Sequence, residues 1–121
     1  MPASYELDLP KRLVRTRGWG VLTDAEVGDL YEGLRRDPAF EPTFQQLCDL
    51  RQVTDLQTTV EALRALARRP TFAPGARRAF VVGREVDYGL SRLFQAYAEP
   101  KGSLIEVFRD WEPAEEWLGI R

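Results

Sequence analysis

The chain opens with an alternation of apolar and polar residues that is typical of a half-buried β-strand. In Ser4–Leu9 every second residue is apolar, which is the period of a strand with one face in the core. Pro10 predicts a tight turn into a second extended run, Arg12–Leu22, so the two segments are expected to form a hairpin. Glycines on both sides of Trp19 indicate a bulge, or the close approach of another backbone.

Four helices are predicted from apolar residues at helical spacing. The first begins at a capping box formed by Thr23 and Glu26 and ends near Pro38. The second begins near Thr58 and ends at Pro70. Apolar stripes define the third helix, with Leu90, Leu93, Phe94 and Tyr97, and a short final one, with Trp111, Ala114, Trp117 and Leu118.

Three further strands are predicted between these helices, at Phe44–Leu50, Ala79–Val82 and Leu104–Phe108. Ala79–Val82 is an unbroken apolar run, as expected of a central strand that is covered on both faces. The residues after Leu50 are predicted to form a polar bend. The order β-β-α-β-α-β-α-β-α predicts an α/β fold with a mostly parallel mixed sheet and an N-terminal hairpin, in a single domain over residues 1–121.

Composition and charge limit the classes of protein to which this chain can belong. The chain is 44% hydrophobic and 30% charged, which is typical of a globular protein. A net charge of −2 argues against a nucleic-acid partner. The sequence shows neither a signal-peptide-like start nor a long apolar stretch, so we expect a cytoplasmic protein without membrane insertion.

The chain has no histidine and one cysteine, Cys48. This excludes Ser–His and Cys–His catalysis and argues against a zinc site, and there is no nucleotide-binding glycine motif. Cys48 lies in an apolar run and is expected to be a buried small side chain. We therefore predict neither a cofactor nor a metal, and a protein that is not an enzyme.

The segment Phe44–Thr59 resembles the signature loop of STAS domains, the family of the anti-sigma-factor antagonists. Asp49-Leu50 matches the opening of that loop, Val53-Thr54 its middle, and Thr58-Thr59 stand where the family has its hydroxyl pair. The resemblance implies a STAS-like fold, and in the antagonists the first hydroxyl is phosphorylated by a partner kinase. Gln57 and Val60 replace the acidic residue and the glycine that flank the pair in the family.

The rest of the chain is similar to the SpoIIAA-like subgroup of this family. The similarity rests on Asp87–Arg92 leading into Phe94, and on Val107–Asp110 with Trp117-Leu118. Most members of the subgroup have no assigned activity. The related CRAL-TRIO architecture binds lipids in an apolar cavity, which implies a carrier as an alternative.

The candidate site residues have structural and functional interpretations. Thr58 is either a helix cap with Glu61 or a phosphoacceptor. Asp49 and Asp55 either accept hydrogen bonds from backbone amides or form a carboxylate pair. Tyr88 is expected to be an aromatic residue at the edge of the core. The alternative is that Tyr88 and Arg92 contact a ligand or a partner protein at the rim of the sheet.

The chain has 15 arginines and two lysines, and one arginine cluster surrounds the end of the second helix. Its members are Arg64, Arg68, Arg69, Arg77 and Arg78. Cations there complement a helix C-terminus, and the alternative is a patch for an anion or an acidic partner.

The leading hypothesis is a non-catalytic regulatory module that presents Asp49, Thr54, Asp55, Thr58 and Thr59 to a protein partner such as a kinase, an anti-sigma factor or another regulator. The alternative is a small-molecule or lipid carrier, which requires an apolar pocket of a few hundred Å³. A homodimer is compatible with the sequence but is not decided by it.

Overall fold

The computed structural model describes residues 2–121, which form a five-stranded sheet packed between helices. The strands are β1 Ala3–Asp8, β2 Leu13–Thr23, β3 Gln45–Gln57, β4 Arg77–Val82 and β5 Leu104–Phe108. The helices are α1 Asp24–Arg36, α2 Val60–Arg68, α3 Glu85–Ala98 and α4 Trp111–Leu118, with a 3₁₀ turn at Glu99–Lys101. In this part of the chain no helix is long and apolar enough to cross a membrane.

The sheet order is β1-β2-β3-β4-β5, with β1 antiparallel to β2 and the other pairs parallel. The predicted α/β fold with its N-terminal hairpin is confirmed. The strands from β2 to β5 advance in one direction, so right-handed crossovers place α1, α2 and α3 on the same face of the sheet. The single helix α4 follows β5 and covers the opposite face.

Adjacent residues of each strand therefore face different surroundings. The α4 face contains a buried apolar cluster that includes Leu47, Val81 and Leu118. The three-helix face holds the larger part of the core, including Val14, Cys48, Phe80 and Phe94.

Local signals placed the first helix accurately. Thr23 accepts a hydrogen bond from the backbone N–H of Glu26, and the Glu26 side chain accepts one in return from the backbone N–H of Thr23. The predicted capping box is thus confirmed. The predicted irregularity at Trp19 is also present, because the pairing of β2 with β3 shifts on both sides of that residue.

The prediction of a polar bend after Leu50 is wrong. β3 continues to Gln57, so Thr54 and Asp55, which were expected in the bend, lie in the strand, as Asp49 does. The reason is pairing with β2, which extends to Thr23 and pairs with β3 from Trp19 to Thr23, with a second register shift between Gly20 and Val21. Val53 is buried in this extension, so the segment gains core contacts as well as backbone hydrogen bonds.

Candidate functional site

The ends of β2 and β3 project beyond the rest of the sheet. β1 pairs with β2 only as far as Gly18, and β4 pairs with β3 only as far as Leu50. The remaining residues, 19–23 and 51–57, form a two-stranded parallel ribbon. Among residues 2–121, its β3 strand has no strand partner on the side away from β2, although the Arg84 guanidinium donates a hydrogen bond there to the Thr54 carbonyl.

Two threonines connect this ribbon to α2. Thr59 is the N-cap of the helix, and its hydroxyl oxygen accepts a hydrogen bond of 3.0 Å from the backbone N–H of Ala62. The prediction that Thr58 caps the helix with Glu61 is wrong, because β3 runs to Gln57 and the helix begins one residue later than expected. Thr58 is instead half-buried, and its hydroxyl donates only a long bond of 3.5 Å to the Thr59 carbonyl.

The acidic residues of the segment do not converge. Asp49 lies beside Arg51, whose guanidinium donates hydrogen bonds of 3.0 and 2.9 Å to the carboxylate. Burial of the carboxyl opposes ionisation, but the side-chain and backbone hydrogen bonds from Arg51 outweigh it and hold the pKa of Asp49 below its usual value. Asp55 is exposed and accepts a hydrogen bond from the Gln57 amide.

At the rim of the sheet, Tyr88 contacts Arg109, a residue that was not among the predicted rim residues Tyr88 and Arg92. The guanidinium of Arg109 lies 3.8 Å from the centre of the Tyr88 ring, and it also donates two hydrogen bonds to Glu85. Arg92 is exposed on α3, with no ion pair to the described residues. Asp87, one residue before Tyr88, is 0% exposed and pairs with Arg84.

The three-helix face contains an apolar cavity of about 80 Å³, named here the helix-side cavity. Its walls come from the three helices on this face and from strands β1 to β4. The lining is mostly apolar and includes Leu22, Leu50, Leu56, Leu63, Phe80 and Phe94, with Thr58 also at the wall. The volume exceeds what one water molecule needs but is below the few hundred Å³ expected of a lipid carrier.

Next to this cavity lies a buried polar network. Gln46 donates hydrogen bonds to the hydroxyls of Thr16 and Tyr31, at 2.9 and 3.0 Å. Arg78 donates one of 2.9 Å to the Gln46 carbonyl oxygen and a longer one of 3.4 Å to the Tyr31 hydroxyl. Burial raises the pKa of Tyr31, although the charge of Arg78 acts in the opposite direction.

Arg78 is the unusual member of this network. It is only 3% exposed, and no carboxylate of residues 2–121 lies within ion-pair distance of it. Its guanidinium is surrounded by aromatic rings, of which Phe72 is the nearest at 4.7 Å. A buried cation normally has an anionic partner, because removing a charge from water without one is costly.

Two more arginines border the outer side of this group. Arg35, Arg69 and Arg78 line a small recess with Tyr31, Leu66 and Phe94, named here the arginine pocket. The Nε of Arg35 is, within the described residues, the one buried side-chain nitrogen or oxygen without a hydrogen-bond partner. Tyr31, Leu66 and Phe94 also line the helix-side cavity, so the two spaces adjoin.

This network was not predicted from the sequence. Arg78 was grouped with surface arginines because the strand was expected to begin at Ala79, whereas β4 begins at Arg77. Adjacent strand residues face opposite sides, so Arg77 is exposed and Arg78 is buried. The polar pair Gln45-Gln46 at the start of an otherwise apolar strand was the available signal.

Comparison with solved structures identifies the fold. The chain is similar to the crystal structure of an uncharacterized protein from the DUF3478 family, with a SpoIIAA-like fold, from Shewanella loihica PV-4. The TM-score is 0.63 and the sequence identity 16%, over 96% of this chain and 93% of that one. The SpoIIAA-like fold predicted from the sequence is thereby confirmed. No protein-family model and no curated protein matches the sequence.

Proposed function

We propose that the protein is a non-catalytic regulatory module that presents the segment Asp49–Thr59 to a protein partner. The observation that carries this proposal is the projecting ribbon formed by residues 19–23 and 51–57, whose outer edge on β3 has no strand partner in the described part of the chain. An unpaired strand edge is a template on which a partner can add a strand. The exposed side chains of Thr54 and Asp55 lie along it.

Phosphorylation of Thr59 is the proposed switch. Thr59 is exposed and caps a nine-residue helix, where the backbone N–H groups and the helix dipole favour a phosphate. Glu61 in the first turn opposes that phosphate through like charge. Thr58 is the less suitable acceptor, because a phosphate on its half-buried side chain would have to leave the wall of the helix-side cavity.

Native mass spectrometry of the protein recovered gently from its own cells tests the proposal. We expect a stoichiometric partner chain, and in part of the sample a phosphate on Thr59. Thr59→Asn keeps an efficient helix cap but cannot be phosphorylated, whereas Thr59→Glu introduces negative charge at the same place. We expect the two variants to differ in partner binding, and Thr58→Asn serves as the matched control.

Two outcomes contradict different parts of the proposal. Equal partner binding by Thr59→Asn, Thr59→Glu and the unmodified protein would remove the switch but leave the interaction module. The absence of any partner chain from all samples would remove the interaction module itself.

Binding of a small molecule is a second candidate function, supported by the helix-side cavity. Its apolar walls suit an aliphatic or aryl group, and an apolar protein cavity of about 150 Å³, roughly twice this volume, is able to hold benzene. The volume of about 80 Å³ favours a small ligand over a long lipid chain. A small molecule retained in the same native spectra, without a partner chain, would favour this candidate over the regulatory module.

A further inference from the structure

We propose that the arginine pocket is an anion-binding site, which receives the carboxylate of a small amphiphilic molecule whose apolar part lies in the helix-side cavity. This inference rests on the second candidate function and names the chemical class of its ligand. The observation that carries it is Arg78, a buried cation with no carboxylate partner among the described residues.

The ordinary structural role of arginines in this region does not account for Arg78. Arg35 and Arg69 lie at the ends of α1 and α2, where cations complement the negative end of the helix dipole. Arg78 lies in β4 and not at the C-terminus of a helix, so a helix dipole does not explain its position. Its side chain makes one short hydrogen bond, to Gln46, although a guanidinium has five N–H donors.

The neighbours of Arg78 increase the positive potential of the pocket. Arg35 contributes a buried Nε without an acceptor, while its terminal nitrogen is held by Glu32 at 2.8 Å. Arg69 is exposed and its side chain is free to rotate outward. The pocket has a volume of about 10 Å³, close to that of one water site, so a carboxylate enters only if the Arg69 side chain shifts to make room and then pairs with the bound anion.

A singly charged, planar anion fits this pocket better than a phosphate. Two parallel N–H groups of a guanidinium match the two oxygens of a carboxylate. The C-terminal ends of α1 and α2 at Arg36 and Arg68 carry partial negative charge, which disfavours a doubly charged group. Because Tyr31, Leu66 and Phe94 line both spaces, a chain attached to the carboxylate would extend into the helix-side cavity.

Three probes of the full chain separate the contributions of charge and apolar area. Hexanoate carries both, hexan-1-ol has a similar chain without the charge, and inorganic phosphate has only the charge. Binding is measured by calorimetry, and the ¹⁵Nε resonances of the arginines report whether Arg78 is reached. We expect hexanoate to bind at least tenfold more tightly than hexan-1-ol, with a shift of the Arg78 resonance and weak or no binding of phosphate.

Arg69 and Arg68 provide a matched pair of variants, since both are exposed at the end of α2 but only Arg69 lines the pocket. Arg69→Gln should weaken hexanoate about tenfold, and Arg68→Gln should change it by less than about twofold. Arg78→Met should abolish the preference for hexanoate over hexan-1-ol. Unfolding curves establish that each variant is folded before binding is measured.

The other outcomes overturn the inference in distinguishable ways. Equal binding of hexanoate and hexan-1-ol would show apolar binding without an anion site, and the second candidate function would survive. Binding of phosphate but not of hexanoate would show an anion site unconnected to the cavity. If none of the three binds at millimolar concentration, Arg78 is a structural cation stabilised by its aromatic neighbours.

Discussion

The two faces of the sheet are built from alternate residues of the same strands, yet their interiors differ in kind. On the α4 face, Leu13, Leu47, Ala79 and Val81 are at most 1% exposed and pack against a single helix. On the three-helix face, the equivalent positions include Thr16, Gln46 and Arg78, and the space between the helices is incompletely filled. One face is an apolar core, and the other combines a cavity with a buried charge.

The difference indicates where the molecule departs from optimal packing. Buried charge and unfilled volume both lower stability, and proteins tend to retain such features where they serve a function. Here the two features share three lining residues, Tyr31, Leu66 and Phe94. Their coincidence on one face supports the proposal that this face binds a ligand, while the α4 face serves the stability of the fold.

The largest effect is expected from a substitution in the filled face. Leu47→Ala removes a side chain that is 1% exposed, and we expect it to lower the free energy of unfolding by about 3–4 kcal/mol. Leu63, 8% exposed, borders the helix-side cavity, and Leu63→Ala should cost only about 2 kcal/mol because part of its surface has no packing partner to lose. Urea unfolding of both variants measures the difference.

Equal losses in these two variants would contradict the comparison, since they would mean that the two faces are packed equally well. A change in the denaturant dependence of either variant would indicate an altered unfolded or native state, and its free energy would then not be comparable.

A second pair of substitutions tests the buried charge. Gln46→Leu removes the acceptor of the short hydrogen bond from Arg78, and we expect a loss of about 2–3 kcal/mol because the cation remains buried. Arg78→Met removes the charge itself and keeps an apolar side chain among the aromatic rings. Its free energy of unfolding should stay within about 1 kcal/mol of the original value.

The opposite order, with Arg78→Met the more damaging, would identify Arg78 as a structural residue. Thermal unfolding with and without hexanoate adds an independent readout, because only a protein that binds the probe is stabilised by it.

Sequence patterns predicted the structure correctly where it depends on residues that are close together in the sequence. The capping box at Thr23 and Glu26 and the apolar alternation of Ser4–Leu9 correctly placed α1 and the hairpin. The extension of β3 beyond Leu50 was not predictable in this way, because it depends on pairing with β2, a segment distant in sequence. The burial of Arg78 was missed because an error of two residues in the start of β4 left it outside the strand.

The smallest expected effect concerns Cys48, which follows Leu47 in β3 and therefore faces the three helices. Burial raises the pKa of the Cys48 thiol from 9.0 to about 11, against the opposing influences of Thr16 and Arg78. A raised thiol pKa stabilises the folded state fully below pH 9, and this contribution is lost as the pH rises from 9 towards 11, since the unfolded chain ionises first. By pH 10 the loss should be about 1 kcal/mol.

Burial also raises the pKa of Tyr31, which adds a loss of the same sign in the alkaline range, so the comparison is made with Cys48→Ala, which keeps Tyr31. The variant should lose about 1 kcal/mol less than the original protein between pH 8 and pH 10 in urea unfolding. Identical pH dependences would mean that the thiolate is tolerated on this face, as expected if the positive charge of Arg78 already compensates an anion placed beside it.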